Sequence, residues 1–132
     1  LVWLSKMWRD YRRWLGKQRG NAHIRISGST ICILRPHAAP IAIEPSRIVR
    51  IALFKRDEMT TDLICCEITA KADVGNDYSI VVHEDMDGFE TMMATLAALD
   101  GFDRGWFEKV ARPAFATNFT VVFQRDAVTE KR

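Results

Sequence analysis

Three cysteines, three histidines and seven glycines are all this 132-residue chain offers for metal sites, disulfides and phosphate loops. His23, His37 and His83 stand far apart, and so do Cys32 and the Cys65-Cys66 pair; no CxxC or HExxH interval links any of them. The usual zinc signatures are therefore excluded, and neither a metal nor a cofactor is expected. Ser27-Gly28-Ser29 has too few glycines and no lysine to cradle a phosphate, so it reads as a hairpin turn. An odd number of thiols in apolar surroundings argues for reduced cysteines, two buried and one exposed, in a cytoplasmic protein. Neighbours on a strand point to opposite faces, which disfavours a Cys65–Cys66 bridge. Long apolar runs are missing as well: nothing approaches the roughly 18–20 residues needed to span a bilayer. A net charge of only +2, with 48% hydrophobic residues, sets the chain far from the disordered class. What is present suits one domain that buries roughly 65–70% of its unfolded surface.

The small net charge hides an asymmetry. Residues 1–20 carry Lys6, Arg9, Arg12, Arg13, Lys17 and Arg19 against Asp10 alone, a net of +5, leaving −3 for the remaining 112 residues. The same segment holds three of the four tryptophans. Leu4, Trp8, Tyr11 and Leu15 recur at helical intervals, with Met7 and Trp14 widening the stripe. Residues 1–20 are thus expected to form a basic amphipathic helix ending at Gly16 or Gly20, and 21–132 a single α+β domain. The candidate interaction surface is Trp3, Trp8, Arg9, Tyr11, Arg12, Arg13, Trp14 and Lys17. The stripe can pack on the domain itself, or dock on a protein partner or a second copy. It can also rest peripherally on an anionic membrane surface. Nucleic acid fits poorly, because the basic patch is short and no recognition helix, zinc finger or aromatic sheet motif accompanies it.

From His23 onward the rhythm is pleated. Strands are expected at 23–26 and 31–34, with a short one around Ile41 and Ile43, then at 47–55, 62–70, 78–84 and 119–123. In the fourth, Val49, Ile51 and Leu53 point one way, and Ile48, Arg50, Ala52 and Phe54 the other. After His83 the period changes. Phe89, Met92, Met93, Leu96 and Leu99 form one face of a helix over 88–99, with Asp87 as N-cap and Glu90 completing a capping box. A second short helix runs from Arg104 to Ala111, capped by Asp103, and Pro113 ends it.

Chemistry-bearing clusters are few. The acidic run His83-Glu84-Asp85-Met86-Asp87 lacks the twelve-residue calcium loop, and acids are ordinary at helix starts. Arg50, placed mid-strand on a partly apolar face, calls for a carboxylate, and Glu67 across the hairpin is the natural partner. Arg50, Glu67 and His83 are the candidate contacts for a small ligand or substrate in a sheet cavity. No catalytic residue stands out, so a non-enzymatic binding or adaptor module acting through a protein interface is the leading expectation.

Several strands followed by a helix resemble a pleckstrin-homology-like bacterial domain, which implies a bent antiparallel sheet or partial barrel with a covering helix. The later helix and strand depart from that pattern. The stretches EPSRIVRIALFKRDEMTTDLICCEI (44–68), HEDMDGFETMMATLAAL (83–99) and GWFEKVARPAFATNFTVVF (105–123) also resemble small bacterial proteins without an assigned activity. That resemblance implies a bacterial, cytoplasmic setting and carries over no site residue.

Overall fold

Six isoleucines build the inner wall of the first sheet. In the computed structural model, which describes Met7, Trp8, Asp10, Tyr11, Trp14 and residues 22–57, 62–112 and 116–125, strands β1 (His23–Ser27), β2 (Thr30–Arg35) and β3 (Ala38–Ile43) pair in the order β1-β2-β3. The antiparallel register sets Ile24 opposite Ile33, Ile26 opposite Ile31, Ile31 opposite Ile43 and Ile33 opposite Ile41. Directly opposed residues share a face, so all six side chains point the same way. Ile24, Ile31, Ile33 and Ile43 are buried, while Arg25 and Ala42 on the reverse are exposed. Gly28, at φ 63°, supplies the left-handed residue of the two-residue β1–β2 turn. Pro40 sits in β3, an edge strand, where a missing donor costs no ladder bond on the open side.

A single 3-10 turn at Pro45–Arg47 leads into the second sheet, of β4 (Ile48–Asp57), β5 (Asp62–Ala70), β6 (Tyr78–His83) and β7 (Thr120–Gln124), ordered β6-β5-β4-β7. All its pairings are antiparallel. The strands thus divide into two sheets, neither closed, in place of the one bent sheet or partial barrel expected from sequence. The architecture is α+β. Ile51, Leu53, Cys66, Ile68 and Val82 of the four-stranded sheet join the isoleucines in one shared core.

The expected alternation of β4 needs one correction. A register shift between Ile48 and Arg50 lets Ile48 enter the core with Ile51 and Leu53, although it is an odd number of residues away from both. Val49 is only half-buried there, and its carbonyl accepts the Arg125 N–H at 2.9 Å. A bulge of this kind inserts one residue and reverses the parity beyond it.

Helix α1 (Phe89–Ala97) lies against β1 and buries Phe89, Met92 and Leu96; Met93 and Leu99 pack at the margin of the core. Its apolar face is the expected one, but its start is not. Gly88, at φ 91°, occupies the N-cap, no side chain caps the helix, and Glu90 falls in the first turn rather than at N3. The reason is tertiary: the Asp87 carbonyl accepts the Ile24 N–H at 2.8 Å, and a Cβ on Gly88 would stand 1.9 Å from the Ile24 carbonyl oxygen. Only glycine fits so close a backbone approach in a left-handed conformation.

Helix α2 (Trp106–Ala111) packs on β4 and β7 through buried Val110. Gly105 stands at its N-cap, not Asp103, yet Asp103 still acts at this end: its Oδ1 accepts the Gly105 N–H at 2.9 Å, and its other oxygen accepts from Lys109 Nζ. The Lys109 bond first, then the Gly105 N–H, holds the Asp103 carboxyl below its ordinary value. At the other end Asn118, left-handed at φ 49°, donates its Nδ2 to the Val110 and Arg112 carbonyls at 3.0 and 2.8 Å. Those are carbonyls a helix end leaves without intrahelical donors. Lys55 adds a cross-tie: almost fully buried, its Nζ donates to the Ala111 carbonyl at 2.8 Å and meets Asp62 Oδ2 at 3.2 Å.

Candidate functional site

The outer face of the four-stranded sheet collects the three polar residues singled out in the sequence. Cys65 pairs with His83, Glu67 with both Ala52 and Val81, and Arg50 with Thr69, so Arg50, Glu67 and His83 share that face. Arg50 Nη2 donates to Glu67 Oε1 at 2.9 Å, a diagonal link across the β4–β5 hairpin. With the two side chains 39% and 25% exposed, the pair stabilises register by about 0.2–1 kcal/mol at most. Thr69 Oγ1 and Ser79 Oγ lie 2.8 Å apart one rung away. Ala52, Leu63 and Cys65 on this face are buried, whereas Val81, Phe119 and Val121 are exposed. Phe119 stacks on Phe54 with ring centroids 5.9 Å apart.

The thiols behave as core groups. Cys65 and Cys66 are buried, Cys32 is half-buried, and all three are free. Burial pushes the Cys66 thiol far up, and the neighbouring Cys65 and Glu67 add to it. A thiol so disposed stays protonated and is a poor nucleophile or metal ligand. Among the described residues no group of three His, Cys, Asp or Glu side chains is arranged to hold a metal ion. None of the described helices is long and apolar enough to cross a membrane.

Among the described residues two clefts stand out elsewhere, and Arg50, Glu67 and His83 line neither. One, of about 350 Å³, lies where the two sheets meet, between Thr30, Ile43, Glu44, Arg47, Lys71, Asp73 and Tyr78. Its charges offset one another: Arg47 Nη2 is 3.2 Å from Asp73 Oδ1, and Arg47 Nε donates to the Lys71 carbonyl. The other, of about 230 Å³, is formed by Ile64 of β5, Glu84 just after β6, Phe89, Glu90 and Met93 of α1, and Trp106 and Phe107 of α2. Trp106 and Phe107 meet edge to face at 5.6 Å. Glu84 Oε1 accepts the Ile64 N–H at 3.0 Å, which fixes that carboxylate at the wall.

Sequence reasoning missed this second cleft. Read from sequence, Glu90 belongs to a capping box and residues 104–111 to a separate short helix, with nothing to join them. The available signal was the concentration of three aromatic and two acidic residues around one pair of short helices.

Of the expected N-terminal interaction surface, Trp8, Tyr11 and Trp14 are described; Trp3, Arg9, Arg12, Arg13 and Lys17 lie outside the described residues. Met7, Trp8, Asp10, Tyr11 and Trp14 have helical backbone, and the rest of the expected 1–20 helix falls outside what is described. The Trp8 and Tyr11 rings stack at 5.9 Å, and Tyr11 and Trp14 follow at 6.2 Å. Each of the three is at least half exposed, as is Met7. No family model, curated protein or solved structure matches the chain.

Proposed function

We propose that the protein is a non-enzymatic binding module that engages a protein surface, a second copy of the chain in the first instance, through Trp8, Tyr11 and Trp14. What carries this reading is the run of three aromatic rings, in mutual contact and each 50–55% exposed, on a segment with helical backbone. Large aromatics are enriched at the centres of protein interfaces, where a few of them supply most of the binding energy. The buried state of Cys65 and Cys66, and the ordinary ion pair between Arg50 and Glu67, supply no catalytic group to set against it.

The test is light scattering on the wild type and on Trp8→Asp. A wild-type dimer that Trp8→Asp converts to a monomer with unchanged circular dichroism supports the reading. A strictly monomeric wild type removes it.

The second reading, attachment to an anionic membrane, draws on the same rings together with the +5 charge of residues 1–20. It predicts sedimentation with phosphatidylserine vesicles that weakens as salt is raised, because surface attraction falls off within a Debye length. Absence of binding at low salt overturns that version and leaves the dimer untouched.

A further inference from the structure

We infer that the open edge of β6 is a pairing edge, where a second copy adds its own β6 antiparallel to give one eight-stranded sheet. Among the described residues the other three sheet edges each carry a guard that β6 lacks. On β1 the Ile24 N–H is held by the Asp87 carbonyl at 2.8 Å, and on β7 the Val122 carbonyl accepts the Asp103 N–H at 2.7 Å. β3 carries Pro40, which has no N–H to offer. β6, Tyr-Ser-Ile-Val-Val-His, has no proline, no Lys, Arg, Asp or Glu, and no bulge in its ladder with β5. Charge, proline and bulges are the usual protection of an exposed edge.

The backbone groups at this edge follow from the ladder. The Glu84 N–H donates to the Ile64 carbonyl at 2.9 Å, which makes that rung a hydrogen-bonded one. Rungs alternate along an antiparallel pair, so Tyr78, Ile80 and Val82 bond β5, while Ser79 and Val81 turn N–H and C=O outward. Both residues are exposed, Val81 by 48%, and among the described residues no backbone hydrogen bond reaches either from the open side.

A two-fold axis through Ile80, perpendicular to the sheet, sets Ser79 of each copy opposite Val81 of the other. Each of those rungs exchanges both N–H···O bonds, and every side chain keeps its face. Ile80, half-buried at the core margin, meets Ile80 of the second copy at the closer, non-hydrogen-bonded spacing, where β-branched pairs pack well. One residue further out, exposed Asp77 falls opposite His83 of the second copy and not opposite its own kind, so no like charges meet. That self-complementarity selects a second copy over an unrelated strand. Because the axis consumes both β6 edges and the other edges are guarded, association stops at two.

This edge is separate from Trp8, Tyr11 and Trp14, and a strand-to-strand contact is small, so it forms at protein concentrations well above those of the light-scattering test. The experiment uses the full chain carrying Trp8→Asp, at an exposed position, so that this inference and the aromatic reading fail separately. Amide hydrogen exchange is followed by NMR from about 20 µM to about 1 mM protein, a span suited to a weak interface. Support is a slowing of about tenfold at the Ser79 and Val81 amides as concentration rises, with the β3 amides unchanged. Exchange at Ser79 and Val81 that is independent of concentration overturns the inference. Two double variants then test the register: Ser79→Lys with Val81→Lys, and Ser79→Glu with Val81→Glu. Each alone should lose the slowing, because like charges face each other, and an equal mixture of the two should regain it. Slowing kept by either variant alone, or absent from the mixture, also overturns it.

Discussion

The two sheets treat water differently. The three-stranded sheet has one dry face, made of isoleucine, and a reverse side that carries Arg25, Ala42 and other exposed residues. The four-stranded sheet is apolar through its thickness: Ile51, Leu53, Cys66 and Ile68 face the shared core, and Ala52, Leu63 and Cys65 are buried on the other side. An antiparallel sheet with a single buried face alternates cleanly, whereas burial on both faces erases the alternation. The comparison teaches that the first sheet is a lid on the core, while the second is its structural floor and carries several of the polar ties between strands. Arg50–Glu67, Lys55–Asp62 and Thr69–Ser79 all belong to it.

The sharpest way to break this division is at the point where the lid is fastened. Gly88→Ala combines left-handed strain with a backbone overlap at Ile24, each worth about 1–3 kcal/mol, so a loss of about 2–6 kcal/mol is expected. Urea denaturation measures it. A loss under about 1 kcal/mol would show that the three-stranded sheet is not clamped at this contact.

Next in size is a paired test of inner and outer surfaces. Ile33→Ala empties a fully buried site and should cost about 3 kcal/mol, within the range for core truncations. Val121→Thr, on the outer face and 42% exposed, should fall within about 0.5 kcal/mol. Similar values for the two would erase the distinction between the core side and the outer side.

The smallest effect concerns pH. Because burial raises the folded-state value of Cys66, the folded form keeps its proton where the unfolded chain, near 9.0, has released it. The contribution is therefore complete below pH 9 and is lost as the pH climbs above it, with a limiting slope of about 1.4 kcal/mol per pH unit. The difference between wild type and Cys66→Ala in urea midpoints from pH 7 to 10 isolates this slope from other alkaline titrations. Parallel curves for the two proteins would mean that Cys66 is not sealed in the floor of the core. In native buffer, Ellman's reagent should reach Cys32 before either of the other two thiols.

Local signals carried much of the fold. Asp62–Ala70 coincides with its expected bounds, and Phe89, Met92 and Leu96 line the core as their spacing implies. These features depend on neighbours in the chain, which periodicity reports directly. The rest depends on distant residues. Division of the strands into two sheets, and the pairing of β7 with β4, are long-range choices with no local marker. The bulge near Val49 moved Ile48 to the core face, which strict alternation cannot anticipate. Asp87 has the composition of an N-cap, yet its backbone is committed to Ile24, so Gly88 takes that position. The candidate sites divide in the same way. The Arg50–Glu67 pair follows from one hairpin and was visible, whereas the cleft between α1 and α2 draws on Ile64, Glu84 and both helices and had to be assembled in space.

The seal between Ile24 and Asp87 also bears on how the chain is made. Two short hairpins can form as soon as β1 to β3 leave the ribosome, but the edge of β1 finds its backbone acceptor only when the start of α1 has followed. Until then the isoleucine wall lacks Phe89, Met92 and Leu96, which complete its cover, and part of it stays a sticky nascent surface. Chaperone capture during synthesis should accordingly peak before Asp87 emerges and fall once it does.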